Sequence, residues 1–147
     1  MDEGKKTFSK DLFLFAVGGT LYVLIEYWFR SRSHWTMFLL GGICFLYAGF
    51  RSRYRAPEEV FWKTVIKVWF FVLAAEFQTG CIVNVILDWN VWDYSKLPGN
   101  VLGQTCWQFA LLFLPLCAAA ILLNDSIQWL LFHEKKPHYH WKRKGAD

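Results

Sequence analysis

Within the run EFQTGCIVNVILDWNVWDYSKLPGN, residues 76–100, the groups able to do chemistry are a carboxylate at Glu76, an amide at Asn84 and a second carboxylate at Asp93, set between Trp92 and Tyr94. On a helix, Glu76, Thr79, Gly80, Val83, Asn84 and Leu87 fall at i, i+3, i+4, i+7, i+8 and i+11, which is one face. An unpaired charge in hydrocarbon is costly, so such a stripe belongs against other helices or water. Gly80 on that stripe lets a neighbouring backbone or a ligand come close. The Trp-Asp-Tyr loop places a carboxylate among aromatic faces, which favours a cation through charge pairing and cation–π attraction. Glu26, late in the first apolar run, is a fainter counterpart with Arg30 four residues on. Each group also has a structural use: Glu76 as an interhelical lock, Glu26 in a pair with Arg30, and Trp92-Asp93-Tyr94 as an interfacial anchor with a turn.

Other chemistries lack their residues. The chain has no HExxH, CxxC or GxSxG, so metal hydrolysis, dithiol redox and acyl-serine catalysis have no support, and neither a metal site nor a cofactor is expected. It has no GxxxxGK[ST] loop either, which excludes ATP binding through a Walker motif. Cys44, Cys81, Cys106 and Cys117 all fall in apolar runs and read as small packing residues. His133, His138 and His140 stand among lysines in a basic tail, 133–147, whose charge suits anionic lipid; nothing resembles a nucleic-acid-binding module.

The elements that must hold these groups are helices in a bilayer. The 147 residues are 55% hydrophobic and 20% aromatic, and their charges cluster between apolar runs, as spans in hydrocarbon require. The expectation is one all-α membrane domain, 1–147, with four transmembrane helices at about 12–28, 35–50, 65–87 and 106–123, and short amphipathic or juxtamembrane helices. The first run reads as a retained span, since no small-residue cleavage site follows its basic start. The second is short, and Trp35 with flanking arginines can accommodate the mismatch. Pro57 and Glu58 open an amphipathic lead-in to the third. Leu97-Pro98-Gly99-Asn100 is turn chemistry, and Gly103 with Gln104 opens the fourth span, which Pro115 kinks. Asn124 and Asp125 mark its exit, followed by a helical extension at the surface from Ser126 to His133.

Lys and Arg set the orientation. Thirteen lie in the N-terminal segment, the middle loop and the tail, against three (Arg30, Arg32, Lys96) on the other side, so both termini are expected in the cytoplasm and the Trp-Asp-Tyr loop outside. Each half of the chain is then a helical hairpin with a glutamate on its first arm, a candidate internal repeat about an axis along the membrane normal.

The string Glu76-Phe77, Gly80, Asn84, Trp92-Asp93-Tyr94-Ser95, Leu97-Pro98, Asn100 and Gly103-Gln104, with Ser33-His34-Trp35-Thr36-Met37 and Glu134-Lys135-Lys136-Pro137-His138-Tyr139, resembles the bacterial family labelled "putative ABC-transporter type IV". Small vertebrate multi-span transmembrane proteins are similar in the Trp-Asp-Tyr-Ser region. The resemblance covers about Gly18 to Tyr139, with two departures: the Pro-Phe-Asn often found in the family reads Pro98-Gly99-Asn100, and Trp107 stands where an aliphatic residue is common. Neither touches the acidic positions. The family label implies a permease-like chain served by a separate ATPase subunit, and four spans are few for a permease unless it forms a homo-oligomer. It carries over no catalytic or transport residue.

The leading expectation is therefore a small permease-like or carrier subunit of the inner or plasma membrane. It would handle a small polar or cationic solute at Glu76, Asn84, Asp93, Trp92 and Tyr94, with Glu26 contributing and with Gly80 and Gly103 allowing close approach. The alternatives are a membrane-embedded lipid-modifying enzyme using Glu76 or Asp93 as acid or base, and a non-catalytic assembly or regulatory protein whose polar stripe locks helices. Catalysis is disfavoured, since no nucleophile or metal-ligand set accompanies the carboxylates.

Overall fold

The structure is a computed structural model in which residues 2–142 are described; Arg143 and Lys144 of the expected basic tail lie outside them. Four α-helices make up most of it: α1 (Glu3–Arg30), α2 (Trp35–Arg53), α3 (Phe61–Gly80) and α4 (Trp107–Phe132). A π-helical segment, Cys81–Ile86, continues α3, and two-residue strands β1 (Asn100–Val101) and β2 (Thr105–Cys106) pair antiparallel before α4. Leu102 and Gly103 both have positive φ (52° and 69°), the backbone sense a tight hairpin needs between them. The sequence placed a turn at residues 97–100 and opened the fourth span at Gly103 and Gln104; those two residues lie instead in the hairpin loop, and α4 begins at Trp107.

Three helical stretches, Glu3–Arg30, Phe61–Ile86 and Trp107–Phe132, are long and apolar enough to cross a membrane. The second expected span is helical, but α2 is not among the three. Its apolar part ends at Arg51 and Arg53 and is diluted by Trp35, Thr36 and three glycines. The other helices outrun their apolar cores. Charged Lys5, Lys6, Lys10 and Asp11 belong to α1, and α4 runs unbroken past Asn124 to Phe132, so the extension expected from Ser126 is the last two turns of α4 itself.

Asn124 is not an exit marker. It is fully buried, and its amide donates to the Phe45 carbonyl of α2 (2.9 Å) and accepts from Gln128, a hydrogen bond that only the protein can offer in an apolar interior. Pro115 also sits inside continuous helix; Trp69 Nε1 donates to Ala110 O (2.6 Å) in the turn that the proline opens. The amphipathic lead-in at Pro57 is a turn rather than a helix, because Glu59 folds under α3 to accept from Thr64 (2.7 Å) and Lys67 (2.6 Å). Burial works against the Glu59 charge, yet those two donors hold its carboxyl below the ordinary range.

α1 and α2 form an antiparallel hairpin joined by four residues, with His34 capping α2 by accepting from the Thr36 amide (3.3 Å). Their close approach depends on paired glycines. A Cβ on Gly18 would strike Phe45 and the Gly41 carbonyl, and one on Gly41 would strike Tyr22. The core lies between α2, α3 and α4, where Ala48, Val65, Val68, Cys117 and Ile121 interlock. All four cysteines are free thiols. At the end of the bundle opposite the hairpin strands, Lys10 of α1 pairs with Glu134 (2.9 Å), and the tail returns to the start of α3 through a hydrogen bond from the Phe61 amide to His140 O (2.8 Å).

Gly41→Leu should therefore separate α1 from α2, costing about 1–3 kcal/mol or more as an overpacked contact. Thermal unfolding of the detergent-solubilised protein should show a clear fall in midpoint, while Leu24→Ala on the exposed face of α1 should leave it unchanged.

Candidate functional site

Along α3, Val68, Val72, Glu76 and Gly80 are all buried at a spacing of four, so Glu76 continues an apolar row into the bundle. Its side chain is 1% exposed, and Oε2 has no hydrogen-bond partner among the described residues. On α1 a second row has the same spacing, Gly18, Tyr22, Glu26 and Arg30, and its first three residues line a crevice whose other side includes Val68 and Val72 of α3. The Tyr22 hydroxyl is likewise buried and unpartnered. Arg30 and Glu26 supply the charges that act on Glu76. Arg30 Nε lies 3.4 Å from Glu26 Oε2, and its guanidinium sits 4.7 Å over the Tyr94 ring and 5.5 Å over Phe109. A buried ionised carboxylate costs several kcal/mol unless a proton, a cation or a donor meets it. Among the described residues no donor meets Glu76 Oε2.

The π-helical segment decides what the rest of the stripe does. Its wider turn rotates the chain after Gly80, so the face drawn at ideal helical spacing holds only through Glu76, Gly80 and buried Val83. Thr79 turns toward α2 and donates to Ala75 O (2.7 Å), and Leu87 is exposed. Asn84 becomes a pin. Its Oδ1 accepts from the Val91 and Trp92 amides (2.7 and 3.3 Å), and its Nδ2 donates to Gln104 Oε1 (2.8 Å). Trp92, 1% exposed, donates from its indole to Gln104 O (2.9 Å), and Gly80 leaves room for both side chains. Asn84, Trp92 and Gln104 together make a hydrogen-bonded cap over the C-terminal end of α3.

Asp93 and Tyr94 point in opposite directions from that cap. Tyr94 is buried and stacks on Phe109 with ring centroids 4.8 Å apart, where Arg30 covers it. Asp93 is exposed and accepts from the Ser95 amide (2.8 Å), a bond that holds its carboxyl below the usual carboxylate range. Gly103 passes beside it, with its amide donating to Asn100 Oδ1 (3.0 Å). The two carboxylates of the sequence motif therefore lie on different sides of the cap.

Two cavities meet at Glu26. A crevice of about 280 Å³, lined by Tyr22, Glu26, Cys44, Val72, Phe113 and Cys117 among others, is apolar apart from the first two. An outer pocket of about 220 Å³ is lined by Glu26, Arg30, His34, Trp89 and Asn90. His34, Trp35 and Trp89 gather beside it with ring centroids 5.5 to 5.9 Å apart. Tyr22, Arg30, Gln104 and Trp89 were not singled out as site residues from the sequence. The first two carried a signal in the four-residue row on α1; Trp89 carried none, since its place depends on the loop after the π-helical segment.

A family model described as "Putative ABC-transporter type IV" matches residues 12–140. No curated protein and no solved structure matches the chain.

Asn84→Leu should leave two backbone amides and the side-chain Oε1 of Gln104 without partners, a loss of about 2–3 kcal/mol. The measurement is the thermal midpoint in detergent together with faster hydrogen exchange at residues 91–105.

Proposed function

The chain belongs to the family described as "Putative ABC-transporter type IV", and from that premise we propose a four-span permease-like or carrier subunit in which Glu76 takes up a cationic solute or a coupling proton. The observation that carries this reading is the Glu76 carboxylate, 1% exposed and with Oε2 unpartnered. The outer pocket is the entrance, and the Glu26–Arg30 pair lines it. A cation arriving at Glu76 competes with Arg30 for negative charge, and the stacking of Arg30 on Tyr94 gives the guanidinium somewhere to stay when released. Asp93, exposed above the cap, draws cations to the mouth, while Asn84, Trp92, Gly80 and Gly103 keep the roof in shape.

The fourth crossing is α2. Its 19 residues span about 28 Å at helical rise, close to the hydrocarbon thickness. It also runs antiparallel against α1 from Phe38 to Phe45, so a crossing by α1 carries α2 back across. The basic residues of α1, α2, α3 and the tail then place both termini in the cytoplasm of an inner or plasma membrane, with the cap outside. This chain has no nucleotide loop, so any ATP-driven step belongs to a separate ATPase subunit, and a homo-oligomer would cover the exposed apolar faces that lipid does not.

Glu76→Gln keeps the shape and removes the charge. In proteoliposomes containing a pH-sensitive dye and offered inorganic and organic cations in turn, the parent should conduct protons or one of those cations, and the variant, with unchanged folded yield, should fall to background. A parent with no flux, or a variant that equals it, would sink the carrier role. Orientation has its own test in a cysteine-free background. An impermeant maleimide should label Lys96→Cys and not His138→Cys in intact cells, and the reverse pattern would invert the topology.

A further inference from the structure

The basic end of the bundle holds a further cavity, sharing no lining residue with those at Glu26, of about 630 Å³ and lined by Arg53, Arg55, Gln128, Lys135, Lys136 and His138 among others. The tail that forms its wall is built in. The Phe61 amide donates to His140 O (2.8 Å), Tyr139 packs edge-on against Phe61 (5.1 Å), and the Tyr139 hydroxyl donates to Asp125 (2.7 Å). Arg55 crosses from the end of α2 to the tail, donating to Ser52 Oγ (2.7 Å), Ser52 O (3.1 Å) and His138 O, all uncharged acceptors.

The charges around the cavity do not cancel. Of its two carboxylates, Asp125 accepts from Ser52 and Tyr139, and Glu134 is taken by Lys10 at 2.9 Å. Arg53 reaches Glu134 only at 3.8 Å, Lys136 rests over the Trp129 ring at 5.2 Å, and Lys135 forms no ion pair among the described residues. A pocket with four cations and two committed carboxylates favours a multivalent anion. Gln128 adds a specific requirement. It is 6% exposed, lines the cavity, gives its Nε2 to Asn124, and leaves Oε1 without a partner. A ligand for this site brings anionic oxygens for the cations and a hydroxyl donor for Gln128.

The geometry points to a binding site for a phosphorylated polyol, taken from the headgroup of an anionic phospholipid or from a free phosphate ester. Its depth suits the first source. Trp62, Trp129 and Trp141 are exposed around this end, where interfacial tryptophans mark the headgroup level, and basic pockets between helix ends hold anionic headgroups. The site is independent of the transport reading, since no residue is shared.

Native mass spectrometry of the full chain released from nanodiscs of phosphatidylglycerol and phosphatidylcholine tests it. The parent should retain one phosphatidylglycerol per chain in preference to phosphatidylcholine. Lys135→Gln with Lys136→Gln, at exposed positions that spare the fold, should weaken retention at least about tenfold, the equivalent of 1.4 kcal/mol. Gln128→Leu should reduce the preference for phosphatidylglycerol over phosphatidic acid, which lacks the polyol hydroxyls. Lys5→Gln with Lys6→Gln removes the same charge from the same end outside the cavity and should leave retention intact. Displacement of the lipid by glycerol phosphate would assign the site to phosphate esters at large, and resistance to it would assign it to membrane lipid. Equal loss in both double variants would reduce the effect to general attraction and overturn the site. A protein subunit retained instead of lipid, and lost on Lys135→Gln with Lys136→Gln, would overturn it in favour of a docking face.

Discussion

Hydrocarbon offers no hydrogen bonds, and this constraint sorts every polar side chain that the bundle carries inward. Asn124 and Asn84 show how the constraint is met. The first spends its amide on the Phe45 carbonyl and on Gln128, tying α4 to α2. The second satisfies two loop amides and Gln104, tying α3 to the outer cap. Asn124 is buried and Asn84 half-buried, and the removal of either would cost the fold. Glu76 lies between these two anchors on a row of valines and has no such donor on Oε2. The contrast separates architecture from site more sharply than residue type does, because amides and carboxylate alike looked functional in isolation.

Much of this was readable in the sequence for a physical reason. Apolar runs bounded by charge report the helices directly, and all four appear where such runs were found, with ends displaced because charged first and last turns extend helices beyond the apolar part. The stripe through Glu76 and Gly80 was legible because regular helix makes spacing equivalent to direction. That equivalence ended at Cys81. A π-helical turn changes the angle per residue without any marker in the residues themselves, so Asn84 and Leu87 left the face that ideal spacing assigned them. The tail was legible as charge but not as structure, since its docking depends on a backbone bond between Phe61 and His140, 79 residues away in the chain.

Pairing in space supplied what spacing could not. The row Gly18, Tyr22, Glu26, Arg30 on α1 is visible in the sequence once its residues are known to border the crevice and the Tyr94–Phe109 stack, and unremarkable before that. Gly18 and Gly41 provide the missing link, because their lack of side chains brings α1 close against α2, with Tyr22 on the crevice and Arg30 over Tyr94. A packing requirement in the first hairpin thus sets the electrostatic surroundings of a carboxylate in the second.

Arg30 is the group through which those surroundings are tuned. Its planar guanidinium can stack on Tyr94 and Phe109 with its face while its edge approaches Glu26, two uses that an ammonium on a flexible stem could not combine. Arg30 pairs with Glu26 while its charge also acts on Glu76, which has no ion pair of its own among the described residues. In the proposed carrier that sharing is what makes occupancy of Glu76 matter elsewhere. A cation bound there frees Arg30 to draw closer to Glu26, and the Tyr94 ring under the guanidinium passes the shift to Phe109 on α4. The coupling needs no movement of the hydrogen-bonded cap, only a redistribution of one positive charge between two acids at the meeting point of the outer pocket and the crevice.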